Sequence, residues 1–333
     1  MNKKEIQIKI SQVQSSLSRE CQFKECVFPD HSYCSAKVIK SHSIQKNKIL
    51  NHIAENGMVI SVNSKKNILF TNEFGKIGIN SASTFFGFCN YHDAKIFSEI
   101  ENKKYVGGIV QNFLHSYRAC ASEYVRSKVS VCIYEKAIER YSINPYEKMA
   151  PKKLNGVKRS EKDYYSILEQ FSKELIKPKN ERNFDIVSCK IFQLPYESLL
   201  AANESFPIEY DFQENLINDL TDTSKVPAPI FLTIFPFNGK TFILFSCLSK
   251  DLKIYQSIIS KLETFTTSGK EIFFSNLIIC QGNNFFISPT KYLKMPNKLR
   301  RLLGSNYRNI LMTDFKPNYI SRGGINLFKA FKK

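Results

Sequence analysis

Three cysteines and a histidine within the first hundred residues have the types and the spacing to hold a zinc ion. In Gly87-Phe88-Cys89-Asn90-Tyr91-His92-Asp93 two residues separate a thiol from an imidazole. At that spacing a tight turn aims both donors at one metal, and the preceding glycine permits the turn. Zinc takes four donors in a tetrahedron, and chains usually supply them as two close pairs. For the other pair the sequence offers Cys26 with Cys34, across Pro29 and Asp30, or Cys21 with Cys26. Cys26 with Cys34 is preferred, because Cys34 abuts the strand-like run that must return toward the site, and Cys21 is the reserve ligand. All five histidines and four of the nine cysteines lie between residues 21 and 115, a clustering that metal binding would produce. The other cysteines, Cys120, Cys132, Cys189, Cys247 and Cys280, sit in apolar patterns and read as core thiols.

Between the two pairs, Lys37-Val38-Ile39-Lys40-Ser41-His42-Ser43-Ile44 sets a histidine in a β-like segment soon after Cys34. The string Cys26, Cys34, then Ser41-His42-Ser43-Ile44, then Cys89-x-x-His92-Asp93 resembles the HNH nuclease family over residues 20–102. It is also similar to a group of uncharacterised bacterial proteins. The HNH family's ββα-metal core places a general-base histidine on its first strand, after a zinc-knuckle cysteine. The resemblance implies that His42 takes a proton from water and that the resulting hydroxide attacks a phosphodiester. It implies that the zinc is structural, and that a separate Mg²⁺ or Mn²⁺ held by Asp93 stabilises the leaving oxygen. Ser41 departs from the family, which usually carries an acid or histidine before the base, and no clear helical Asn and His pair follows. A zinc ligand or a core histidine is the alternative role of His42.

The chain that must position these residues is strongly basic, with 48 Lys and Arg against 30 Asp and Glu and a formal net charge of +18. That balance attracts polyanions, of which nucleic acid is the commonest. No signal-peptide pattern opens the sequence, and its most apolar segment, 229–248, is broken by Asn238, Gly239 and Lys240, so a cytoplasmic protein with no membrane span is expected. In such a compartment the cysteines are expected to stay thiols or metal ligands. There is no phosphate-binding glycine loop, dinucleotide fingerprint or nucleophile elbow, which sets aside nucleotide hydrolysis and serine-hydrolase chemistry.

Apolar periodicity predicts a helix over 3–20, strand-like runs at 37–44, 58–62 and 67–71, a short helix over 48–55, and long helices over 105–140 and 161–176. Pro145, Pro151, Gly156 and the surrounding charges mark 144–159 as an exposed linker. Asn238-Gly239 between Phe231–Phe237 and Lys240–Cys247 predicts a hairpin with a type I′ turn. Leu252, Tyr255, Ile258, Ile259 and Leu262 predict an amphipathic helix, 272–280 a buried strand, and 291–333 a basic tail or nucleic-acid arm.

These elements add up to an α+β fold. Its expected parts are an HNH-like zinc domain with an N-terminal helix (1–104), a helical connector (105–182), and a C-terminal mixed α+β domain with antiparallel strands and the basic tail (183–333). The function expected from the resemblance and the charge is a metal-dependent nuclease acting on DNA or RNA, in bacterial defence against foreign nucleic acid. The alternative is a non-enzymatic zinc-stabilised module that binds nucleic acid or senses a partner. Protein partners are expected at the C-terminal domain.

Overall fold

The computed structural model describes residues 3–35, 37–62, 74–140, 146–312 and 324–333. The chain opens with helix α1 (Lys3–Glu20), strand β1 (Val38–His42), and a short helical stretch over 46–53. Strands β2 (Met58–Ser61), β3 (Gly75–Gly78) and β4 (Thr84–Cys89) follow, then helices α2 (Asn90–Asn102), α3 (Ile109–Arg140) and α4 (Tyr146–Ile176). The second half carries β5 (Val187–Leu194), β6 (Leu200–Pro207), β7 (Pro229–Phe237), β8 (Lys240–Leu248), α5 (Leu252–Thr264) and α6 (Thr267–Gln281). It ends with β9 (Phe285–Ile287), α7 (Pro289–Lys294), α8 (Asn297–Met312) and α9 (Leu327–Ala330). The fold is mixed α+β, with antiparallel sheets and a helical middle. Among the described residues no helix is long and apolar enough to cross a membrane.

The chain falls into two compact units, each assembled from separated segments. The first holds Met1–Ser41, Phe85–Lys103 and Cys120–Asn183; the second holds His42–Thr84, Lys104–Ala119 and Phe184–Lys333. The expected consecutive division at 104 and 182 therefore does not describe how the segments group. The reason lies in β2, whose Val59, Ile60 and Ser61 are all buried. The backbone N–H and C=O groups of a strand so buried need partners on both edges, and β2 takes β3 on one side and β9 on the other.

In the first unit, Val13 and Leu17 of α1 pack on Ile133 and Ala137 of α3. Glu20 accepts from Lys136 and Arg140, and Cys21 is joined to Cys132 by a disulfide. Helices α3 and α4 lie side by side, with Ser127 Oγ 2.9 Å from Ser160 Oγ and Lys158 paired to Glu135 at 2.7 Å. Most of the expected linker is helix instead: 146–159 belongs to α4, with Pro151 inside it, past the first turn whose N–H groups have no helical partner. Residues 144 and 145 lie outside the described residues.

The second unit is built on a seven-stranded sheet in the order β3-β2-β9-β6-β7-β8-β5. Asn238 and Gly239 take φ of 50° and 76°, so the β7–β8 turn has the two positive angles that the sequence predicts. Ile230, Leu232, Ile234 and Phe245 face a core shared with Tyr255, Ile258, Phe274 and Leu277. On the opposite face Ala201, Phe235, Leu244 and Phe286 meet Ile44, Ile49, Leu50 and Ile53. Residues 272–280, expected as a strand, belong to α6, which is buried on all sides from Phe273 to Ile279. The expected basic tail is not a solvated arm throughout, because Tyr292, Leu303, Leu327, Phe328 and Phe331 enter the core. The run expected at 67–71 lies outside the described residues.

Candidate metal centre

Strands β1 and β4 pair as a small sheet, and β4 runs directly into α2. The junction is the knuckle. Gly87 is required there, since a Cβ would sit 2.4 Å from the Phe85 ring. The Val27 N–H donates to the Gly87 carbonyl at 2.8 Å, which lays the Cys26 loop against the strand. Farther along that loop the Asp30 carboxylate accepts from Ser32 N–H at 3.0 Å and Cys34 N–H donates to the His31 carbonyl at 3.1 Å, a local turn that brings Cys34 back.

The result is a convergence of Cys26, Cys34, Cys89 and His92, with all four donor atoms within 4.8 Å of one another. His92 presents Nδ1, which lies 3.5 Å from Cys26 Sγ, 3.5 Å from Cys34 Sγ and 3.3 Å from Cys89 Sγ. A tetrahedral ion with Zn–S of about 2.3 Å and Zn–N of about 2.0 Å sets S···N edges of roughly 3.5 Å. The donor chemistry and the spacing therefore both fit zinc. These are the four residues that the sequence reading preferred, and the structure assigns the reserve, Cys21, to its disulfide instead. Spacing along the chain carried no sign of that pairing, whose partner is 111 residues away, and the expectation that all nine cysteines stay unpaired fails there.

Burial, together with the neighbouring Cys26 sulfur, pushes the Cys34 thiol up to about 12, and burial also raises Cys26. Cys89 is buried too, yet the His92 N–H and Ser35 outweigh that and bring it down to about 7. Its sulfur caps α2 by accepting the His92 N–H at 3.5 Å, where the positive end of the helix favours a thiolate. Burial lowers the pKa of His92, which keeps the imidazole neutral and able to ligate, and Phe28 packs on its ring at 4.6 Å. Cys26, Cys89 and His92 are buried and Cys34 is partly exposed, and the four protein donors are enough to fill the coordination of a tetrahedral metal.

The other expected residues are placed differently. His42 falls in the second unit, half-buried, with Nε2 3.1 Å from the Ile79 carbonyl. A carbonyl oxygen can only accept, so Nε2 is the nitrogen that carries hydrogen in this contact. Its neighbour Ser43 is anchored by its N–H to Ser83 O at 2.8 Å and by the Asn284 amide at 2.7 Å. Asp93 belongs to the first unit, in the first turn of α2, with Oδ1 buried and accepting no hydrogen bond among the described residues. Of the remaining histidines, His52 pairs with Glu197 at 2.9 Å and His115 is stacked on Phe235, its pKa driven down to about 3 by burial and Arg118. The histidine clustering thus reflects several roles, of which His92 alone joins the cysteines.

Sequence reasoning missed the residues that support the knuckle, Phe28 and Ser35, and an aromatic pair beside it, Tyr33 and Tyr91. The available signal was adjacency, since Tyr33 precedes Cys34 and Tyr91 precedes His92. Comparison with models of protein families, with curated proteins and with solved structures gave no match for this chain.

Proposed function

We propose that this chain is a zinc-stapled protein that acts on nucleic acid. The observation that carries the reading is the Cys26, Cys34, Cys89 and His92 tetrahedron at the strand-to-helix junction of a chain with formal net charge +18. Zinc there would staple the loop that carries Cys26 and Cys34 to the strand-to-helix junction, and the charge supplies affinity for a polyanion.

The activity we assign to it is HNH-type phosphodiester hydrolysis, in bacterial defence against foreign DNA or RNA. Support comes from His42, on the strand that pairs with the knuckle strand and with its Nε2 hydrogen-bonded to the Ile79 carbonyl, and from the unbonded buried oxygen of Asp93. His42 would take the proton of the attacking water, and Asp93 would contribute to holding a divalent cation. Mg²⁺ or Mn²⁺ bound there supplies charge stabilisation at the leaving oxygen. The second reading, a non-enzymatic binding module, is favoured by Ser41, which offers no ionisable group beside His42, and by Asp93 grouping with a different unit from His42.

The experiment is to measure zinc per chain in wild type and His42→Ala, then incubate both with plasmid DNA and with RNA, with and without Mg²⁺ or Mn²⁺. One zinc in each protein, with cation-dependent cutting by wild type only, is the expected result. Zinc in both with cutting by neither selects the binding module, and absence of zinc overturns the central claim.

A further inference from the structure

Beside the metal centre, two tyrosines from different segments stack in the open. Tyr33, on the loop, and Tyr91, in the first turn of α2, have ring centroids 5.8 Å apart and planes inclined by 28°. Tyr33 is 63% exposed, an unusual position for so large a ring, and Tyr91 is half-exposed. Lys95, one helical turn beyond Tyr91, places its ammonium 5.0 Å from the Tyr91 centroid and 5.6 Å from that of Tyr33, and donates to Tyr91 Oη at 2.7 Å. All three side chains belong to the first unit.

Each tyrosine is the immediate chain neighbour of a zinc donor, Tyr33 of Cys34 and Tyr91 of His92. Four convergent donors that fix Cys34 and His92 relative to each other also fix the backbone from which the two rings rise. The Tyr91 N–H is further tied to Ser35 Oγ at 3.3 Å, one residue beyond Cys34. The stack is therefore pre-organised, so a ligand that used it would lose little ordering entropy on binding.

We infer that Tyr33, Tyr91 and Lys95 form a stacking platform for an unpaired base of single-stranded nucleic acid, with the Lys95 ammonium placed for the adjoining phosphate. Three features choose this occupant. Exposed aromatic faces beside a cation are what base stacking uses, and every base has a π face to offer. The ammonium already over both rings repels a cationic guest, which removes the ligands that aromatic cages otherwise take. The whole chain's charge of +18 draws in a polyanion. A duplex cannot use the platform in the same way, because its bases are stacked on each other. The inference rests on the nucleic-acid reading above and adds to it that the strand is unpaired at this point.

The test is fluorescence anisotropy with labelled oligothymidylate, oligouridylate, a hairpin duplex and a polyglutamate peptide, on zinc-loaded protein. Wild type is expected to bind the single strands. Tyr33→Ala and Tyr91→Ala are expected to weaken that binding roughly five- to a hundredfold, the range of one lost base stack, with duplex affinity unchanged. Tyr33→Phe keeps the ring and should keep the affinity, while Lys95→Gln should flatten the salt dependence by about one phosphate contact. Zinc content and circular dichroism of each variant identify one that has lost the fold, in which case Tyr33→Phe against Tyr33→Ser carries the comparison. Single-strand binding that is indifferent to both tyrosines overturns the platform, as does duplex binding without single-strand binding, and either leaves the nucleic-acid reading standing. Binding of polyglutamate through the same tyrosines assigns an acidic peptide instead and also overturns it. Failure to bind any nucleic acid removes both.

Discussion

Around Cys26 and His92 four polar donors converge on one point, with Phe28 and the turn at Asp30 as their support. Along β7, by contrast, every residue from Pro229 to Pro236 is buried, and apolar side chains meet partners on both faces. The first region gathers groups that repel or desolvate one another until a cation arrives, as Cys34 at about 12 and Cys89 near 7 show. The second needs nothing from outside. The difference teaches that stability in this chain has two sources with different dependencies: one on metal, pH and thiol chemistry, the other on buried area.

Metal removal should break that comparison most sharply. Chelation, or Cys89→Ser, is expected to abolish zinc binding and with it a stabilisation of order 10 kcal/mol, unfolding the knuckle while the sheet persists. Metal analysis with far-ultraviolet circular dichroism would check it, and simultaneous collapse of the whole chain would show that the sheet depends on zinc as well. Acidification should act on this region and also on the sheet, where burial holds His115 neutral beside Phe235 and lowers its pKa to about 3, so that stability there is lost as pH falls below the ordinary imidazole range. Zinc ionises thiols that are otherwise protonated, so its contribution is present at high pH and is lost as pH falls. Binding near pH 7.5 should release about two protons, from Cys34 and Cys26, whose pKa values are raised. Calorimetry in buffers of different ionisation enthalpy measures that number. His92, with its pKa lowered, adds proton competition only below the ordinary imidazole range.

Phe245→Ala probes the other side. Phe245 is 1% exposed and touches Tyr255 and Phe274, so its removal should cost the sheet about 3–5 kcal/mol with zinc content unchanged. A denaturant titration of the holo protein reads it, and loss of zinc in that variant would contradict the division of labour. Reduction of Cys21–Cys132, or Cys132→Ser, should cost the first unit about 2–4 kcal/mol and leave both the metal and the sheet in place. Mass spectrometry after alkylation, paired with the melt, tests this. The smallest effect is expected at Gly239→Ala, where φ of 76° asks a side chain to adopt a left-handed backbone at about 1 kcal/mol.

The Cys26, Cys34, Cys89 and His92 cluster was legible because its chemistry is local: a two-residue gap, a glycine and a returning strand name most of the knuckle. The β7–β8 hairpin and the buried face of α5 were legible for the same reason, each being written within a single short stretch. Helix α6 was not. Its run Ile272 to Cys280 is so apolar that periodicity cannot separate a buried helix from a buried strand. Helix α4 hid behind Pro151 and Gly156, which read as breakers, while its contacts with α3 include those of Lys158 and Ser160, beyond both. The Cys21–Cys132 link and the grouping of β2 with β9 depend on pairings across much of the chain, for which local pattern has no sign. His42 shows the limit at the site itself. Its segment was read correctly as a strand, but its bond to Ile79 follows from the return of residues 75–84.

One feature of the sheet bears on how the protein is made. Strand β2 is complete only when Ile60 meets Ile287, more than two hundred residues later. At the usual pace of translation, 5–20 residues per second, a nascent chain carries β2 with an open edge for roughly ten seconds or more before β9 leaves the ribosome. An apolar strand with unpaired amides is an aggregation template, so this interval is when the polypeptide most needs a chaperone. A messenger cut short before β9 would yield a chain held permanently in that vulnerable state.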